Sequence, residues 1–130
     1  MAIQKKSFSE KKIRVLDIGS AVGTTAWALY DFYDILNHVL KLYGLKGDKL
    51  PPLIIDSLEK YSTNIEFFNV IKNKVDLSNS NVVINAPIEG DVLNGGLDKV
   101  KLKSYDIVIA SNILNEFPNP SILFLSPAIF

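Results

Sequence analysis

The chain contains no cysteine. That removes disulfides, thiolate zinc sites, iron–sulfur clusters and a cysteine nucleophile together. A lone histidine, His38, removes a histidine-based metal cluster as well. Arg14 is the only arginine, so bidentate guanidinium recognition of phosphate is nearly absent. Neither sign of charge prevails: fourteen basic residues offset fourteen acidic ones. No overall field therefore draws the chain toward nucleic acid or a membrane. No apolar run approaches the ~18 residues of a membrane-spanning helix. The start, "MAIQKKSFSEKK", carries lysines but no apolar stretch of the kind a secretory signal needs. A cytoplasmic protein is the expectation.

What is present is an ordinary globular balance, with 48% apolar and 22% charged residues in a chain of 130. It predicts a polar N-terminal tail over residues 1–12 and a single domain over 13–130. "IRVLDIG", from Ile13, is a β-branched apolar run that reads as a buried strand ending at Gly19. A helical pattern runs from Gly23 to about Tyr43 and is stopped by Gly44, Gly47, Pro51 and Pro52. "LIID", Leu53 to Asp56, predicts a second strand, with Ser57 as N-cap of a helix to about Lys74. "NVVINA", Asn81 to Ala86, predicts a third strand closed by Pro87, and "YDIVIAS", Tyr105 to Ser111, a fourth. A fifth, "SILFL", follows the Pro118–Pro120 turn. Nearly continuous apolar strands alternating with helices predict an α/β fold: a doubly wound, mainly parallel sheet of about five strands, covered on both faces.

The first helix carries more apolar surface than such a sheet requires. At 100° per residue, Asp31, Asp34, Asn37, His38 and Lys41 share a stripe roughly 120° wide. Leu29, Phe32, Tyr33, Ile35, Leu36, Val39 and Leu40 lie outside it. A helix on one face of a sheet needs an apolar arc of only ~100° or somewhat more. A further helix, a partner or a missing piece of chain is therefore expected over helix 23–43.

Between the first strand and this helix lies Gly-Ser-Ala-Val-Gly-Thr, Gly19 to Thr24. A strand that turns at glycine into a helix gathers free backbone N–H groups at one point. In open α/β sheets the ligand crevice lies outside the carboxyl ends of the strands, where strand order reverses. Asp17, Asp56 and the Ser111–Asn112 pair are expected at such ends. A nucleotide P-loop needs a lysine after Gly23, where Thr24 stands. The dinucleotide spacing G-x-G-x-x-G falls on Gly19, Ala21 and Thr24, and loses two glycines. G-x-G-x-G falls on Gly19, Ala21 and Gly23, loses one, and is preceded by the acid Asp17.

"VLDIGSAVGT" resembles the first motif of class I S-adenosylmethionine-dependent methyltransferases. The resemblance runs on through "LIIDSLEK" and "GDVL" to "YDIVIASNILNEF". It implies that the turn of Gly19, Ser20, Ala21 and Gly23 passes under the methionine part of S-adenosylmethionine, beside Asp17. It implies that Asp56, followed by Ser57, meets the ribose hydroxyls and Asp91 the adenine amino group. Ser111 and Asn112 would close the pocket. A carboxylate accepts from two vicinal hydroxyls and repels phosphate. A helix N-terminus beside an acid serves both the carboxylate and the ammonium of an amino-acid tail.

The pairing of "GSAVGTTAWAL" with "DIVIASNILNEFP" is most similar to the methyltransferase-like proteins of the mitochondrial small ribosomal subunit and their prokaryotic relatives. That implies methyl transfer to an unidentified acceptor, ribosomal RNA or a small-subunit partner. The alternatives are a ribosome-assembly or binding factor without transfer and an NAD(P)-binding Rossmann domain. Iron–sulfur cysteines of that ribosomal group have no counterpart here. The family core continues for two strands beyond a fifth, so the resemblance implies a core incomplete at its C-terminus. No catalytic base can be named: the fourth strand runs into Ser-Asn-Ile-Leu, without the Asn-Pro-Pro-Tyr motif of base-amine methylation. Plainer roles stay open for several residues: Asp17 as a backbone acceptor, Asp56 and Ser57 as a cap pair, Asp91 as a loop acid.

Overall fold

A computed structural model of the chain describes residues 11–45, 50–77 and 80–111. Its elements are β1 (Ile13–Ile18), α1 (Thr24–Leu42), β2 (Leu53–Glu59), α2 (Ser62–Lys74), β3 (Val82–Ile84), β4 (Ile88–Glu89) and β5 (Ile107–Ile109). This is an α/β fold on a five-stranded sheet of order β3-β2-β1-β5, with β4 also beside β2. Every pairing is parallel.

β3 and β4 act as one strand with a fault in it. Ile55 pairs with Ile84 and Leu58 with Ile88, so two residues of β2 face three on the other side. The extra residue lies in a bulge at 85–87 that ends in Pro87, which has no N–H to give to the ladder. β1 runs into α1 and on to β2, and β2 into α2 and on to β3. The chain then crosses to the other side of β1 to lay down β5, so the strand order reverses between β1 and β5.

Both α-helices of the described residues pack on one face of the sheet. Ala26 and Tyr33 of α1 and Phe68 of α2 meet Val15, Leu53, Ile55, Val82 and Ile84 there. Phe68 is fully buried, an anchor of ~1.5–3 kcal/mol by transfer. The opposite face carries Leu16, Ile18 and Leu58, covered by Val92, Leu97, Val100, Leu102 and Tyr105. Those residues come from a segment of three short 3-10 turns, Val92–Asn94, Gly96–Lys99 and Leu102–Ser104.

α1 occupies the span its pattern predicts, and its surplus apolar residues are exposed, Leu42 at 85%. β2 is longer than expected, and this corrects the role of Ser57. Ser57 does not cap α2; it lies inside β2, paired with Asp17, and α2 begins at Ser62. The strand continues because both of its faces are covered. Leu58 enters the core on the face of the 3-10 turns while Ser57 and Glu59 go under on the helix face. A local cap at Ser57 would forfeit that burial and the ladder to β1. β5 forms only over Ile107–Ile109, with Ile107 and Val108 exposed. The expected strand "SILFL" lies outside the described residues.

Candidate functional site

Three residues of the β1–α1 turn have left-handed backbone, spaced two apart: Gly19 (φ 71°), Ala21 (φ 50°) and Gly23 (φ 93°). The G-x-G-x-G spacing is thus a backbone requirement, and Ala21 meets it at a cost that glycine would not incur. Among the described residues Ala21 is the only non-glycine with positive φ. Gly23 has a second constraint. A Cβ there would lie 2.7 Å from the Phe68 ring and 2.8 Å from the Trp27 indole nitrogen.

The turn is fastened to the end of β2. The Gly19 N–H donates to the Leu58 carbonyl at 2.8 Å, and the Ala21 N–H donates to the Glu59 carboxylate. Glu59 also accepts from the N–H groups of Lys60 (3.0 Å) and Tyr61 (3.1 Å) and from the Asn64 amide (3.4 Å). It is the last residue of β2, almost fully buried, and it borders a cleft of about 240 Å³. Gly19, Ser20, Ala21, Gly90, Asp91 and Ser111 line this cleft with it. Thr24 and Thr25 of the first turn of α1 also face it. Gly23 caps that helix without a side chain, so first-turn N–H groups are left for a guest. The volume falls just short of the ~300 Å³ at which ordinary small-molecule sites begin.

Asp17 lies beneath the turn, completely buried. Neither of its carboxylate oxygens has a hydrogen-bond partner of good geometry, nor have the hydroxyls of Ser20 and Ser57 beside it. Burial pushes the Asp17 carboxyl up to about 6; the Thr25 hydroxyl pulls against that shift and the Glu59 charge adds to it. Buried polar atoms in native proteins are nearly always paired, so such a cluster marks a place that water or a ligand completes.

Asp91 sits across the cleft. It accepts from the Leu93 N–H (3.0 Å) and the Asn94 amide (2.7 Å), with Lys60 Nζ 3.8 Å away. Desolvation works against its charge, but these donors outweigh it and hold the carboxyl below its ordinary value.

Asp56 is elsewhere, and the role implied for it at the ribose does not fit. It lies opposite Leu16 in mid-strand, on the face of the 3-10 turns. Its oxygens accept from the Tyr105 hydroxyl and the Asn85 amide, both at 2.7 Å, with the Arg14 guanidinium 3.7 Å away. Burial, then Asp56 itself, push the Tyr105 hydroxyl up to about 12. Ser57 does share the helix face with Glu59, but it is sealed below the cleft.

Of the residues expected at a site, the fold brings Gly19, Ser20, Ala21, Asp91 and Ser111 to one cleft, with Gly23 and Asp17 supporting it from behind. Asn112 lies outside the described residues. Glu59 is the acid that the sequence reading passed over. The signal for it was alternation: Leu53, Ile55, Ser57 and Glu59 share one strand parity, and Ser62-Thr63 is a second helix start. No group of three or more metal-ligating side chains occurs among the described residues. None of their helices is long and apolar enough to cross a membrane. The chain matches no protein-family model, no curated protein and no solved structure.

Proposed function

We propose that the chain is a Rossmann-like, doubly wound domain of the class I methyltransferase type, and that its cleft binds S-adenosylmethionine. The observation that carries this reading is the pairing of two acids around one glycine turn. Glu59 faces the cleft and Asp17 lies unpartnered beneath it, at the reversal of strand order. The residue types suit the cofactor. Glu59 takes the ribose position first assigned to Asp56, because a carboxylate at the end of β2 accepts from vicinal hydroxyls. Asp91 serves the adenine side. The first-turn N–H groups of α1 hold the tail carboxylate, and Asp17, behind the turn, favours the ammonium with its negative charge without touching it.

The cofactor, when bound, supplies a methyl group activated by its sulfonium. The chain's own residues bind and orient it, and in-line proximity to a good nucleophile needs no dedicated base. The acceptor is unidentified; the ribosomal resemblance offers ribosomal RNA or a small-subunit partner as the candidates to test. A cytoplasmic location accords with that reading.

Two rivals are weighed by particular contacts. Against an NAD(P) domain stands Glu59, which accepts from the Ala21 N–H and so puts a carboxylate where the pyrophosphate would rest. A non-catalytic ribosome-assembly factor is favoured by the same residue, because four donors already engage its carboxylate before any ribose arrives. Calorimetric titration with S-adenosylhomocysteine separates the readings. Saturable binding with a dissociation constant of ~1–100 μM is expected. A folded chain that takes up no S-adenosylhomocysteine refutes the cofactor assignment, and co-sedimentation of that chain with small ribosomal subunits would then favour the assembly factor.

A further inference from the structure

We propose that α1 joins two copies of this chain, its outer face packing antiparallel against the same face of a second copy in a two-fold symmetric dimer. The inference is independent of the cofactor reading, because it concerns the side of α1 turned away from the sheet.

Five exposed residues form a line on that side: Ala28, Phe32, Ile35, Val39 and Leu42. Their spacing alternates four and three, the repeat that keeps one stripe of a helix against a partner helix. Phe32 is 53% exposed, Ile35 60%, Val39 40% and Leu42 85%. The core needs none of this surface. Ala26 and Tyr33 already seat α1 on the sheet from the opposite side, with Leu29 and Tyr30 half-buried beside them. From Ala28 to Leu42 the stripe runs about 21 Å. Single exposed apolar residues are ordinary, but a continuous stripe of this length marks an interaction surface.

The stripe and its borders say which partner fits. The exposed polar residues of α1 beyond its first turn lie to one side of the stripe: Asp31 and Asp34 toward the N-terminus, His38 and Lys41 toward the C-terminus. In a parallel two-fold pair this charged flank would lie against the opposite flank of the other copy, where Leu29, Leu36 and Tyr43 stand. Antiparallel, the polar flanks meet each other, the aspartates of each toward Lys41 of the other, and the helix dipoles oppose. One register suits all of these features. It sets Ala28 against Val39 of the second copy, Phe32 against its Ile35, and Asp31 beside its His38. Each contact then occurs twice, as a two-fold axis requires. A lipid surface is a poorer occupant, because helices that lie on membranes flank their apolar face with Lys and Arg. Here two of the four flanking side chains are aspartates.

Sedimentation equilibrium of the 130-residue chain tests this directly. A reversible dimer with a dissociation constant of ~1–100 μM is expected. Ile35→Asp should weaken it at least ~10-fold, a loss of about 1.4 kcal/mol. Because Ile35 is 60% exposed, the thermal midpoint of the separated monomer should stay within about 4 °C. Orientation is read by cross-linking, which the absence of cysteine makes clean. A double variant, Ala28→Cys with Val39→Cys, should form a covalent dimer under mild oxidation, while neither single variant does. A wild-type chain that stays monomeric at ~100 μM overturns the proposal, as does an Ile35→Asp dimer of unchanged affinity. Single variants that cross-link as readily as the double would overturn the antiparallel arrangement.

Discussion

On the helix side of the sheet, the Asp17 carboxylate and the hydroxyls of Ser20 and Ser57 are buried without hydrogen-bond partners of good geometry, and only the Thr25 hydroxyl works against the burial of Asp17. On the other side, Asp56 is one residue along β2 from Ser57, and its oxygens accept from Tyr105 and Asn85 with Arg14 nearby. The two acids stand on neighbouring strands with opposite strand parity, and their surroundings differ in kind. Asp56 is a finished structural joint that ties the 3-10 segment to β1 and β2. Asp17 is unfinished, and a buried charge without a partner destabilises a fold unless something outside the protein chain completes it. On the proposed reading, the face of the strand separates the binding acid from the structural one.

The largest effect is expected from breaking the helix side at its tightest point. Gly23→Val should cost about 3 kcal/mol or more, from the collision with Phe68 and Trp27 and from the left-handed backbone together. Urea unfolding measures it, and a loss below ~1 kcal/mol would mean that the turn relaxes freely.

Next comes Asp17→Asn. The folded chain holds the Asp17 proton up to about pH 6, whereas the unfolded chain releases it near 3.8. The native state thus binds more protons across that window, and this group lowers stability as pH rises through it. Above pH 6 the charged form burdens the fold by about 2–3 kcal/mol, so Asp17→Asn should be more stable than wild type at pH 7 by up to that amount. The advantage should shrink as pH falls and vanish below about 4. A difference that does not change with pH would show that Asp17 is solvated or paired after all.

On the finished side the effect is smaller, and it is a loss, opposite in sign to that of Asp17→Asn. Tyr105→Phe removes one donor from Asp56 and should cost about 1–2 kcal/mol, with cofactor affinity unchanged. A fall in affinity would join the two faces that the fold keeps apart. The smallest effect is Ala21→Gly. Relief of the left-handed backbone, less the entropy glycine adds to the unfolded chain, should leave a gain of about 0.5–1 kcal/mol. Thermal unfolding reads it, and a loss would mean that the Ala21 methyl makes a contact worth more than its strain.

Much of this arrangement was legible before any coordinates. β1, the glycine turn and the length of α1 follow from β-branched runs, glycine spacing and the Gly44–Pro52 stop. The surplus apolar face of α1 also followed from the helical period. The end of β2 did not. Ser57 has the chemistry of a cap, and local preference alone stops the strand at Asp56. Burial on both faces carries it three residues further, an effect of tertiary packing that no local pattern contains. That shift puts Glu59, and not Asp56, at the cleft. The bulge at Pro87 was hidden for a similar reason: proline reads as a strand terminator, and only the neighbouring ladder lets the strand resume at Ile88.

The central claim is that Glu59, and not Asp56, is the acid that meets the ligand. Calorimetric titration of S-adenosylhomocysteine into Glu59→Ala and Asp56→Ala, side by side with wild type, tests it most directly. The account predicts at least a ~10-fold loss of affinity in Glu59→Ala and less than a ~3-fold change in Asp56→Ala, the latter with a clear loss of stability. The reverse pattern, with Asp56→Ala abolishing binding and Glu59→Ala leaving it intact, would contradict the account.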